Sequence, residues 1–151
     1  MSLLTPELKA AVGRELPPEK AEVTRREIRK YAVATGQRLR KFLDGDEAPP
    51  LFLFGLFLAI RPLEEMEADG RQPDTGLVPE LPLKRVMAGG SEQAWYRGVF
   101  PGDVLVSRQK LVDLFEKQGR QGPLIFAVVK NRVETEAGEP VMTEKSTRIA
   151  R

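Results

Sequence analysis

Ten consecutive residues, Leu51 to Ile60, read LFLFGLFLAI and are apolar all round apart from Gly55. A run like this must be buried, and it limits the folds open to a chain of 151 residues. Periodicity alone fits a buried strand as well as a buried helix. The length of the run and the flanking Pro50 and Pro62 favour a helix enclosed on most sides. Such a helix needs another layer wrapped around it, and the C-terminal half of the chain supplies a candidate. There, LPLKRVMAG, SEQAWYRGV, DVLVSRQKLVDLFEK, GPLIFAVVKNRVETE and PVMTEKSTRIA follow one another between turn signals. Those signals are Gly89-Gly90, Pro101-Gly102, Gly119 to Pro123 and Ala137-Gly138. Short links between successive strands make an antiparallel meander. The expected architecture is therefore α+β, a long central helix wrapped by a curved antiparallel sheet, in one domain spanning residues 1–151.

Two short helices precede the apolar run. Thr5-Pro6-Glu7 offers a cap, a proline at the first helical position and an acid in the first turn. Leu8, Ala11 and Val12 form that helix's apolar side, and Gly13 can end it. Thr24 followed three residues on by Glu27 has capping-box spacing, and Ile28, Tyr31 and Ala32 mark one buried face up to Gly36.

Composition removes much chemistry. With no cysteine there is no disulfide framework and no thiolate chemistry, and with no histidine the commonest neutral-pH acid/base is missing. No metal site and no cofactor is expected. No apolar stretch is long enough to span a membrane, and the start MSLLTPELKAAVGRE lacks the pattern of a secretory leader. A cytoplasmic location is the expectation. Charge is unevenly spread: residues 25–41 hold seven Lys/Arg against Glu27, and residues 44–80 hold nine Asp/Glu against two Arg. The basic stretch reads either as a solvated face or as a surface for the phosphates of an acyl carrier, with Arg38, Arg40 and Lys41 at its end. Interleaved aromatics are scarce, which argues against nucleic acid.

The order of these segments resembles the hot-dog fold. The local sequence is similar to the MaoC-like hydratases and dehydratases, more specifically to the N-terminal MaoC dehydratase domain. That domain also occurs as the non-catalytic subunit of two-subunit (3R)-hydroxyacyl-ACP dehydratases. The resemblance is carried by YAVATG, APPLFLFGL, RGVFPGDVL, FEKQGRQGPLIFAVVKNRVETEAGEPV and STRIAR, in order along the chain. Catalytic members carry Y-A-x-x-S-G-D-x-N-P-x-H. Laid on this chain, Tyr31, Ala32 and Gly36 match, Thr35 replaces the Ser, Gln37 the Asp and Phe42 the His. Neither Gln37 nor Phe42 can exchange a proton near neutrality. The family's carbonyl-binding motif is displaced too: Pro50 is followed by Leu53-Phe54, and the glycine arrives one residue late, at Gly55.

The resemblance implies an acyl-thioester-binding subunit, for acyl-CoA or acyl-ACP, that is inactive alone. Its partner is either a second copy or a catalytic hot-dog chain that supplies Asp and His. Phe54, Gly55, Trp95, Tyr96 and Arg120 are the candidate substrate-binding residues, and Arg38, Arg40 and Lys41 the candidate phosphate or carrier residues. Plain core packing is the competing role for Phe54, as it is for Phe52 and Phe57, and solvation for Arg120. Two alternatives stand beside this reading: a homodimeric acyl-CoA-binding protein without activity, and a hot-dog thioesterase run by a carboxylate such as Glu64, Glu65, Glu67 or Asp69.

Overall fold

The computed structural model describes residues 2–151. Five antiparallel strands form one sheet in the order β1-β3-β4-β5-β2, with β1 spanning Glu19–Glu22, β2 Val86–Trp95, β3 Val104–Gly119, β4 Gly122–Thr135 and β5 Pro140–Ala150. The helices are short: α1 Pro6–Lys9, α2 Arg25–Ala34, α3 Arg40–Leu43 and α4 Phe52–Leu56. This is the expected hot-dog arrangement, and the meander from β3 to β5 follows from tight turns. Arg120-Gln121 joins β3 to β4, and Gly138 takes a positive φ of 88° between β4 and β5.

Both N-terminal caps form as their sequences require. The Thr5 hydroxyl accepts from the Leu8 amide, and the Thr24 hydroxyl from the Glu27 amide. Ile28 and Ala32 of α2 are buried, and Gly36 ends the segment at φ 67°.

The sheet buries one face in two clusters. Val23, Ile28, Phe52, Leu53, Val99, Leu105, Val133, Val141 and Met142 form the first, under α2 and α4. Leu4, Ala11, Leu77, Val78, Leu81, Leu111, Leu114, Ile125, Ala127 and Ala150 form the second, closed by the N-terminal segment and part of the long link before β2.

Two expectations are corrected. The central helix is not long: α4 has five residues, is entered from Leu51 at φ 67°, and turns out at Phe57. Phe52 and Leu53 are buried in the core and Leu56 and Phe57 pack against it half-buried, whereas Phe54 is 77% exposed and Ile60 fully so. A helix in a protein is held chiefly by what packs on it. Here one face meets Tyr31 and the sheet, while among the described residues no layer covers the other; Pro62 also disfavours helix at Arg61. Gly89-Gly90 is not a turn either. It lies inside β2, where the register against β5 shifts between Ala88 and Gly90. A Cβ on Gly89 would stand 2.9 Å from Ile149 Cγ1 and 3.0 Å from Thr147 Cγ2, so the glycine allows close approach rather than reversal.

Candidate functional site

Beside the first core cluster the chain leaves a hollow of about 440 Å³. Its floor is Phe42 and Ala48, both buried, with Val99 behind them. Trp95 and Tyr96 wall one side, half exposed, and Lys41, Glu47 and Pro50 the other. Phe42 gets there on α3, a single turn that brings Asp44 back to Arg40 (2.6 Å).

The remaining wall is held by a turn legible in RGVFPGDVL. Gly102 takes φ 91° after Pro101, and the Asp103 carboxylate accepts from the Phe100 amide (2.8 Å) and twice from Arg97 (3.1 and 3.2 Å). Backbone bonds Gly102 N–H to Val23 O and Val23 N–H to Asp103 O, both 2.8 Å, fasten this turn to the segment entering α2. Arg97, itself on the hollow, is thereby fixed.

The fold thus gathers Lys41, Phe42, Trp95 and Tyr96 from the residues singled out in the sequence. Gln37, Phe54, Gly55 and Arg120 do not line the hollow. Gly55 packs beside the Tyr31 ring, which meets Phe52 edge to face at 5.7 Å. Arg120 sits on the β3–β4 turn. Trp95 shares a rung with Met142, Val133 and Ser107, and the thirteen residues of β3 from Ser107 to Gly119 span roughly 40 Å.

Three of the seven cations of the basic stretch are paired with acids that follow it. Arg25 pairs with Asp46 (2.5 Å), Arg40 with Asp44 (2.6 Å) and Lys41 with Glu47 (2.9 Å), whereas Arg38 meets no carboxylate within 4.0 Å among the described residues. Glu47 is the carboxylate that the sequence did not single out. The loop acids Glu64, Glu65, Glu67 and Asp69 are absent from the hollow, and Glu65 and Asp69 are occupied by Arg61 and Arg71. The Arg71 guanidinium holds the Asp69 carboxyl below the usual carboxylate range. Within the hollow, the arrangement offers one ion-paired carboxylate, an ammonium, aromatic walls and an apolar floor. It offers no imidazole, and its one carboxylate, Glu47, is tied to Lys41. Among the described residues no cluster of carboxylates converges as a metal site would need, and no helix is long and apolar enough to cross a membrane.

Comparisons agree with the fold. A UPF0336 protein of Saccharopolyspora erythraea is 32% identical over 146 residues, covering 93% of this chain and 88% of that protein. The ChsH1-ChsH2 complex of Mycobacterium tuberculosis contains a chain that superposes with a TM-score of 0.71 at 20% identity, over 95% of this chain and 86% of that one. A chain of the Mycobacterium tuberculosis HadBC (3R-hydroxyacyl-ACP dehydratase) complex superposes with a TM-score of 0.60 at 19% identity, over 93% and 97%. Residues 10–144 match the family described as the FAS1-like dehydratase domain region. The chain belongs to that family, a dehydratase region built on the MaoC-like hot-dog fold.

Proposed function

We propose that this chain is the acyl-thioester-binding, non-catalytic subunit of a (3R)-hydroxyacyl dehydratase or enoyl hydratase. A second hot-dog chain, paired along β2, supplies the Asp and His. The observation that carries the reading is Phe42 on the floor of the hollow. It stands at the family's histidine position, while Gln37, at the aspartate position, lies outside the hollow. Reversible dehydration needs one group to take the proton alpha to the thioester and another to protonate the departing hydroxyl. Such groups contribute typically about 10²–10⁴-fold each, and an aromatic ring with an amide provides neither. What remains suits binding: Trp95 and Tyr96 offer flat apolar walls, and the likeness to chains of two-subunit assemblies supports a partner.

The test is turnover of crotonyl-CoA by the purified chain at high protein concentration. No hydration is expected, and a rate on the order of 1 s⁻¹ would refute the reading. Glu47 supports one alternative, hydrolysis of the thioester by water that this carboxylate deprotonates, with the thiolate of the carrier leaving. Release of free thiol from crotonyl-CoA, abolished by Glu47→Gln, would establish that alternative.

A further inference from the structure

Three lysines stand side by side across the sheet. Lys110 pairs in register with Lys130, and Lys130 with Lys145. Partners across antiparallel strands share a face, and this face points away from both core clusters; all three lysines are exposed. The adjacent rung on the same face carries Arg108, Arg132, Thr143 and Ala94.

Like charges directly opposite each other are destabilising. For most of this cluster the repulsion is offset locally. Arg108 and Arg132 share Glu134 at 3.3 and 3.0 Å, and Lys110 meets Glu15 at 3.0 Å. Lys130 and Lys145 meet no carboxylate within 4.0 Å among the described residues, although Glu92 is the register partner of Lys145. These two lysines border a shallow hollow of about 220 Å³, together with Thr143, Ala94, Glu92 and Glu144, whose carboxylate accepts from Ser91 and Gln93. Thr143 is also the link to the larger hollow, because its hydroxyl lies 3.2 Å from that of Tyr96. Thr143 and Lys145 are two residues apart, about 7 Å along the strand. An anion held by the lysine pair therefore lies close to Tyr96, whereas Trp95, in register with the buried Met142, is on the opposite face of the sheet. Of the expected carrier contacts Arg38, Arg40 and Lys41, the last two are already paired.

We infer that Lys130 and Lys145 form a phosphate-binding subsite for the phosphorylated nucleotide end of a coenzyme A thioester whose pantetheine arm passes Tyr96 to the larger hollow. The inference builds on the acyl-thioester reading above. Two ammonium groups act as point charges on phosphate, and the neighbouring Glu92 carboxylate keeps the attraction moderate and salt-sensitive.

Calorimetric titration of the full chain at low salt separates the parts, using adenosine 3′,5′-bisphosphate, crotonyl-CoA and crotonyl-pantetheine as probes. The Lys130→Ala/Lys145→Ala variant is expected to lose at least tenfold in affinity for the bisphosphate and for crotonyl-CoA, while crotonyl-pantetheine binds as to the parent. A Lys130→Gln/Lys145→Gln variant should behave alike, which sets aside a folding defect peculiar to alanine in a strand. Equal binding of the bisphosphate by variants and parent overturns the inference. So does a parent that binds crotonyl-pantetheine but no bisphosphate, and in that case the acyl-thioester reading survives. A parent that binds none of the three probes overturns both. A crotonylated acidic carrier protein that loses affinity with the variants, while the bisphosphate never binds, assigns the lysines to a protein partner and also overturns the inference.

Discussion

Asp103 shows how much of this site one side chain holds. Its carboxylate satisfies the Phe100 amide and both contacts from Arg97, and both side chains of the pair are less than a quarter exposed. Hydrogen bonds to charged groups contribute about 1.5–3 kcal/mol each, and removing one partner strands the other. Asp103→Ala is expected to lower the stability to urea by about 2 kcal/mol. Arg97→Ala should cost less than that, since Asp103 keeps its bond from the Phe100 amide (2.8 Å). The double variant should lose less than the sum, and strict additivity would show that the pair is not coupled. The turn role of Asp103 was legible in PGD, because that tripeptide has its own local geometry. The part played by Arg97, six residues back, was not. Glu47 was hidden for the same reason: an acid in an acid-rich stretch carries no mark of the hollow that a fold creates around it.

At the scale of elements, the same divide separates local from long-range signals. The Thr5 and Thr24 caps depend on neighbours a few residues away, and each formed as read. The length of α4 depends on a covering layer that the run itself cannot specify. Strand β1 escaped notice because its four residues, Glu19 to Glu22, are held by register with β3 rather than by their own apolar pattern. The N-terminal segment is held by a single distant acid. Glu116 on β3 accepts from the Ser2 hydroxyl and from the Leu3 amide (3.0 Å) and Leu4 amide (3.3 Å). The Ser2 hydroxyl and then these amides hold its carboxyl below the ordinary glutamate value. A carboxyl depressed in the folded state adds stability that is present above its unfolded value and lost as pH falls through the folded one. Acidification through and below the usual glutamate range should therefore loosen the attachment of residues 2–4. Hydrogen exchange at Leu3 and Leu4, corrected for its intrinsic pH dependence, would report it. Glu116→Gln should show the loosened exchange already at neutral pH; protection equal to the parent's would mean that the apolar packing of Leu4 alone holds the segment.

At the scale of the whole molecule, β2 is the longer of the sheet's two edges. Strand β2 pairs only with β5, and nine of its ten residues are exposed, including Val86, Met87 and Trp95. Nearby in sequence to the cut-short helix, Leu51, Phe54, Leu58, Ile60 and Leu63 are exposed as well. Edge strands that are to stay single are usually blunted by lysine, proline or shortness. β2 is ten residues long and contains neither lysine nor proline, with Glu92 as its one charge. Its bare N–H and C=O groups are thus positioned to pair with another strand, and a second hot-dog sheet is the occupant that the proposed function requires. If no catalytic partner is present, the chain is expected to pair with itself. Light scattering should then give about twice the 16.9 kDa of one chain at micromolar concentration. Ala88→Lys/Ala94→Lys would place like charges from both copies along the shared edge, and should shift the mass towards a single chain, more so at low salt, where screening is weakest. A parent that keeps the mass of one chain over a wide concentration range would show that β2 is protected in some other way, and pairing along that edge would have to be given up.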